Sequence, residues 1–240
     1  NTVLMKHAPI TTGCGLQIEA LFQAAGCPQG VFQALLIDDN VADQLIEERA
    51  IAGVSFTGST RAGRIVAQCA ARALKPQVLE LGGSDPYIIL DDANIKNAAN
   101  MCVQGRLINS GQCCLAGKRI IVVKPHYQAL IDQVMELLKT IVVGDPMQLT
   151  TQVGPLSRQD LRQELQQQVS ATIKEGARCV MGGEIPAGPG FYYPLTVLVD
   201  VDETMTAFQQ ETFGPVFTFT EAEDEADAIR LANATHYGLG

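Results

Sequence analysis

The sequence predicts an α/β fold built on parallel strands. Short apolar runs of strand length alternate with amphipathic helical stretches. The pitch leaves room for a helix between successive strands, as a parallel crossover requires. The pattern breaks at Gly82-Gly83 and Pro86 and then resumes. Such crossovers are almost always right-handed. Residues 3–5 read as a strand, 17–25 as a helix and 31–36 as a strand. Residues 41–50 form a helix with Val41, Leu45 and Ile46 on one face. A strand at 53–57, a helix at about 62–74 and a strand at 77–81 follow. Beyond the glycines come strand 87–90, helix 95–107, strand 119–123 and helices 127–139 and 159–175. Strand 178–181, a Gly- and Pro-rich loop at 182–190, strands 193–199 and 216–220 and a last helix at 223–234 complete the pass. The glycine pair gives the backbone freedom of a hinge, so the domain boundary is placed there, at 1–82 and 83–240.

The 240 residues are enough to bury a core, and 47% hydrophobic with 18% charged residues is ordinary for a globular chain. A net charge of −9 argues against nucleic acid or an anionic membrane as a partner. No apolar run reaches the roughly 18 residues of a transmembrane helix. Seven cysteines, an odd count without a C-x-x-C pair, read as free thiols in a reducing compartment, so a cytoplasmic location is expected. His7, His126 and His236 are not spaced with them as a zinc site, and no metal is expected. The start lacks an initiator Met and a signal-peptide pattern, and the end follows a helix closely, so a piece of a longer chain is expected.

Four segments could carry chemistry. Phe56-Thr57-Gly58-Ser59-Thr60-Arg61-Ala62-Gly63 runs from strand end through a Gly turn into a helix, and free N–H groups at a helix start suit a phosphate. Its G-x-x-x-x-G spacing also fits an ordinary turn. Glu80 lies between Leu79 and Leu81 at the end of a buried-looking strand, where burial would raise its carboxyl toward the range of a base; equally, it could face water. Gly111-Gln112-Cys113-Cys114 places two thiols in a loop between a helix and a strand. They suit either a thiolate nucleophile or a pair of buried structural cysteines, and adjacency does not say which one reacts. In Glu211-Thr212-Phe213-Gly214-Pro215, Glu could accept from sugar hydroxyls and Phe could pack on a flat ring, or both could serve a turn and the core.

In this order and spacing the four segments resemble the aldehyde dehydrogenase superfamily over essentially the whole chain. Glu80-Leu81-Gly82-Gly83 is similar to the family's general-base signature. Gly111-Gln112-Cys113-Cys114 is similar to its G-Q-x-C nucleophile signature, which selects Cys114, and Glu211-x-Phe213-Gly214-Pro215 to its E-x-F-G-P cofactor motif. The resemblance implies part of a Rossmann-type cofactor domain followed by an α/β catalytic domain. It implies Cys114 as nucleophile, Glu80 as base, and cofactor contacts from Lys6, Gly58, Ser59, Gly63, Leu81, Glu211 and Phe213. The family's oxyanion donors are the nucleophile's backbone N–H and an Asn side chain, and that Asn would fall before residue 1. The implied reaction oxidises a small aldehyde to a carboxylic acid through a cysteine thiohemiacetal and thioester. The implied assembly of the full-length protein is a homodimer or homotetramer.

Gly82-Gly83-Ser84-Asp85-Pro86, Lys6-His7-Ala8-Pro9, Ala116-Gly117-Lys118-Arg119 and Tyr192-Tyr193-Pro194 narrow the likeness to bacterial succinate-semialdehyde dehydrogenases. There is a departure: many such enzymes hold the substrate carboxylate with an Arg six residues before the nucleophile. Here Ile108 stands there, Leu107 replaces the usual Phe beside it, and the nearest Arg is Arg106. A broader aldehyde range therefore stays open. Pro9, three residues after Lys6, neither binds a ribose diol nor repels a 2′-phosphate, so NAD is expected with NADP tolerated. Transfer of the acyl group to coenzyme A and an inactive fragment are the rival readings. Relatives that acylate coenzyme A tend to lack the Glu that Glu80 supplies.

Overall fold

The computed structural model describes residues 1–239 and divides the chain into two compact units, Asn1–Leu81 and Gly82–Gly240. In the first, β1 (Val3–Lys6) is followed by α1 (Thr12–Ala24) and by β2 (Phe32–Leu35), which pairs with β1 in parallel. After α2 (Asp39–Glu47), β3 (Val54–Thr57), α3 (Thr60–Arg72) and β4 (Gln77–Glu80) repeat the arrangement. The strands form two separate parallel pairs, β1-β2 and β3-β4. Helix α1 begins five residues ahead of the expected start. Gly13 and Gly15 hide it, because glycine weakens any helical pattern.

The second unit holds a five-stranded sheet of order β5-β6-β9-β8-β7, from β5 (Pro86–Ile89), β6 (Arg119–Val123), β7 (Arg178–Met181), β8 (Thr196–Val199) and β9 (Val216–Ala222). All neighbours are parallel except the edge strand β7, which runs antiparallel to β8. Strands β6 and β8 are buried along their whole length, as continuous apolar strands covered on both faces should be. Side chains alternate between two cores. Ile120, Val122, Val197, Val199, Phe217 and Phe219 meet α4 (Ile95–Arg106) and α5 (Tyr127–Leu138). Ile121, Leu198 and Val216 meet α6 (Gln159–Glu175), the short α7 (Thr206–Gln209) and α8 (Glu225–Ala232). Each fully buried Phe or Leu contributes about 2 kcal/mol.

Polar side chains set several helix starts. Asp38, Ser59, Asn94 and Asp224 accept from the first turns of α2, α3, α4 and α8, leaving fewer free N–H groups. Asp38 and Asp224 therefore precede their helices by one residue, which moves the expected starts of α2 and α8. The strand expected at 193–199 shortens to Thr196–Val199, since Pro194 has no N–H to give a ladder.

Tyr87 of β5 sits in a slot made by two glycines. A Cβ on Gly105 would lie 1.9 Å from its hydroxyl, and one on Gly117 would lie 2.5–2.6 Å from three ring atoms. Gly105→Ala and Gly117→Ala should each cost about 1–3 kcal/mol in urea denaturation of the full-length protein. Tyr87→Phe should relieve most of the first loss and little of the second, because only the first involves the hydroxyl. Equal relief at both positions would refute the slot.

Candidate active site

In the first unit, β3 ends at Thr57, Gly58 donates its N–H to Glu80 O at 3.0 Å, and Ser59 caps α3 by accepting from Ala62 N at 3.2 Å. The first turn of α3 carries no acidic residue, so its positive end faces no side-chain anion of its own. Gly63 is buried against Leu81, which is half-buried. Gly58, Ser59, Gly63 and Leu81 therefore share one strand-to-helix corner. Lys6 closes β1 on the other strand pair and is ion-paired with Asp39. Glu80 ends β4, and its side chain is exposed. Of the two readings left open for Glu80, this is the water-facing one: its neighbours Leu79 and Leu81 are only half-buried, and β4 is not covered on both faces.

In the second unit, α4 runs into an irregular turn, Ile108–Gly111, where the backbone turns left-handed at three successive residues. Asn109 has φ 50°, Ser110 φ 59° and Gly111 φ 77°. The two non-glycines cost about 1–2 kcal/mol each. Side chains hold the turn: Asn109 Nδ2 donates to Gln112 O at 3.0 Å, and Ser110 Oγ accepts from Gly154 N at 3.0 Å. Gly111 is required twice over, by its φ and by a Cβ that would fall 2.2 Å from Gly214 O. The turn thus packs directly on the Glu211–Pro215 segment.

Cys113 and Cys114 follow, both free and half-buried. This departs from a pair of buried structural cysteines. Cys102 on α4 shows that alternative: it is buried, and burial pushes its thiol up to about 12. The Cys114 N–H makes no hydrogen bond among the described residues. Beneath the loop, the ammonium of Lys118 is fully buried. It donates to Cys114 O at 2.9 Å, Cys113 O at 3.0 Å and Ala116 O at 3.2 Å, and lies 3.4 Å from Glu211 Oε1. Burial lowers the Lys118 pKa, and the Glu211 carboxylate opposes that. Glu211 Oε1 also accepts from Gly83 N at 3.2 Å, while Oε2 has no partner among the described residues. Phe213 is half-buried beside it in sequence. Cys114 and Glu211 are thus joined through one lysine, and Gly83 joins them through the Glu211 carboxylate.

Arg106 has 0% exposure and ties α4 to the Glu211–Pro215 segment. Nε donates to Val216 O at 2.7 Å, and Nη2 donates to Gly214 O at 2.6 Å and to Thr212 O. Burial lowers its pKa to about 10, so it stays charged at neutral pH. Its Nη1 is buried without a partner. A guanidinium so enclosed is not presented to a substrate. Arg119, also buried, donates to Ser84 O, Leu231 O and Ala232 O at 2.8–3.0 Å. Sequence reasoning missed Lys118 and Arg119 as buried groups. Their signal was two adjacent cations at the entry of a strand that is apolar from Ile120 to Val123. Among the described residues no His, Cys, Asp and Glu cluster could hold a metal, and no helix is long and apolar enough to cross a membrane.

The description of the Aldehyde dehydrogenase family matches residues 1–240. The NAD(P)+ succinate semialdehyde dehydrogenase Sad of Escherichia coli K12 is 45% identical over 239 residues, covering 100% of this chain and 52% of its own length. A succinate-semialdehyde dehydrogenase named for NADP+ from Deinococcus radiodurans is 43% identical, covering 100% of this chain and 50% of its own. The chain therefore spans about half the length of these curated relatives. Among solved structures, Gox0499, studied for cofactor and substrate selection, aligns with a TM-score of 0.97 at 40% identity over 100% of this chain and 53% of that one. The succinic semialdehyde dehydrogenase of Streptococcus pyogenes in complex with NADP+ aligns with a TM-score of 0.97 at 34% identity, with the same coverage of 100% and 53%.

Arg106→Met should cost about 2–4 kcal/mol in denaturant unfolding of the full-length protein, because the Thr212, Gly214 and Val216 carbonyls each lose the Arg106 donor, Gly214 O keeping only the Val216 N–H. A loss below about 0.5 kcal/mol would show that the clamp is not formed.

Proposed function

This chain belongs to the Aldehyde dehydrogenase family, and we propose that the full-length protein oxidises an aldehyde, succinate semialdehyde foremost, to the carboxylic acid with NAD+ as cofactor and NADP+ accepted. The observation that carries this reading is the junction at Lys118, where the backbone of the cysteine loop and the Glu211 carboxylate meet one buried cation. The names of the relatives support the substrate and the nicotinamide cofactor. In this reading the first unit belongs to the cofactor domain and the second to the catalytic domain. A dimer or tetramer of the full-length chain follows the same likeness.

The residues fit such a cofactor. The α3 start lacks acidic side chains and suits phosphate, and Glu211 Oε2 is free to accept from a sugar hydroxyl. Lys6, Gly58, Ser59, Gly63, Leu81, Glu211 and Phe213 would hold it. When bound, the nicotinamide supplies a two-electron acceptor for hydride. The Cys114 thiolate attacks the aldehyde carbon, forming a C–S bond while the carbonyl oxygen gains the electron pair. The unpartnered Cys114 N–H is one donor available to that oxygen. Loss of hydride from the carbon leaves a thioester on Cys114. Glu80 takes a proton from water, the water oxygen attacks the thioester carbon, and the acid leaves as Cys114 recovers its sulfur electrons. An exposed Glu80 is accessible to that water. Its presence also favours hydrolysis over acyl transfer to coenzyme A. Because Arg106 is enclosed, a substrate carboxylate must be held by other groups.

Steady-state rates of the full-length protein on a panel of aldehydes, with NAD+ and NADP+, test this. Succinate semialdehyde with NAD+ should give the highest kcat/KM. A flat profile would refute the substrate, and no reduced cofactor from any aldehyde would refute the reaction. Cys114→Ala should abolish oxidation, while Cys113→Ala keeps most of it. Equal loss from both would overturn Cys114 as nucleophile.

A further inference from the structure

We infer that Lys118 is a positioning residue that sets the cysteine loop and the Glu211 carboxylate against each other, so that Glu211 presents one chosen oxygen to the cofactor. The inference rests on the aldehyde dehydrogenase reading and deepens it. A lysine side chain with 0% exposure is rare unless its charge is met, and here every partner belongs to functional segments. An ammonium has three donors. Three carbonyls accept from it: Cys113, Cys114 and Ala116 at 3.0, 2.9 and 3.2 Å. The fourth neighbour is Glu211 Oε1 at 3.4 Å. The three carbonyls fix the peptide planes on both sides of the Cys114 α-carbon's turn, and so the direction of the loop. The charge, together with Gly83 N at 3.2 Å, fixes which carboxylate oxygen turns inward. Oε1 is committed to the protein and Oε2 is left for a ligand. A neutral side chain of the same length would leave the Cys114 and Ala116 carbonyls without a donor, Cys113 O with the Ala116 N–H alone, and Glu211 without its counter-charge.

Three further partners frame this group. Arg106 and Asp85 act on Lys118 electrostatically, with opposite signs, and the Lys118 carbonyl accepts from Thr218 Oγ1 at 2.7 Å. The backbone of Lys118, the residue just before β6, is thereby tied to β9 and, through its own N–H, to Asp85 O at 2.9 Å, so the ammonium starts from a fixed point where the loop meets the sheet.

The test uses the full-length enzyme with Lys118→Met, Lys118→Arg and Val122→Ala, the last a buried strand residue outside this network that serves as a stability control. Lys118→Met should raise the NAD+ dissociation constant, measured by fluorescence titration, about tenfold and slow the hydride-transfer burst by at least a similar factor. Lys118→Arg should recover part of the NAD+ affinity. Val122→Ala should lower Tm while leaving both readouts unchanged. If Lys118→Met does not fold, Lys118→Arg is combined with Glu211→Gln: positioning predicts that their effects on NAD+ binding are non-additive. Wild-type NAD+ affinity and burst in Lys118→Met, equal losses in Val122→Ala, or strict additivity would each overturn the inference. Those outcomes leave the wild-type activity standing. A wild-type protein that neither binds NAD+ nor oxidises aldehydes overturns the enzyme reading and this inference with it.

Discussion

A charge removed from water must find its hydration elsewhere, and in the larger unit backbone carbonyls supply it. Lys118, Arg106 and Arg119 are buried, and each is met chiefly by carbonyls rather than by carboxylates. Lys118 gathers the cysteine loop. Arg106 gathers the segment from Thr212 to Val216. Arg119 gathers the end of α8 at Leu231 and Ala232 and stacks over Phe208 at 5.0 Å. A helix end leaves several carbonyls without partners, and a buried loop leaves more. Each cation satisfies such a set at once. Irregular backbone can therefore sit beneath the surface in this unit. Burial holds Arg106 and Arg119 at about 10, still well above neutral pH, so the charges persist.

The sheet supplies what loops alone lack. Parallel strands buried on both faces fix β6 and β9, and the chemical segments leave from their ends. Residues 112–118 enter β6, and residues 211–215 enter β9, its direct neighbour. Adjacent strands thus bring two loops together that are far apart in sequence. The left-handed run at Asn109, Ser110 and Gly111 then aims one loop at the other. Such backbone persists only where the surroundings over-determine it. Here the Gly214 backbone allows no side chain at position 111, and Gly154 N holds Ser110.

Much of this is written in local sequence. The apolar runs at 119–123 and 178–181 and the pattern at 159–175 locate β6, β7 and α6, because burial and periodicity act over a few residues. The four motifs mark the right loops, because Gly, Glu and Cys are needed there for backbone shape and chemistry. What escaped depends on contacts across the chain. For Glu80 between its leucines the sequence left buried and water-facing readings open, because strand exposure is decided by what covers the strand. The burial of Lys118 and Arg119 is not legible locally, because their partners lie on segments up to 113 residues away. The start of α1 and the four-residue α7 were hidden by glycines and by brevity.

The pairing of β6 with β9 sets a timetable for synthesis. Thr218 and Lys118 meet across 100 residues of chain. At the usual translation rate of about 5–20 residues per second, roughly 5–20 seconds separate the emergence of the two. During that interval the Arg119–Val123 strand, apolar beyond its first residue, has only β5 beside it, and the cysteine loop lacks Glu211. An unpaired, largely apolar strand edge is a template for association with other chains. The same late contact that gives the loop its rigidity therefore makes this chain dependent, while nascent, on whatever shields that edge.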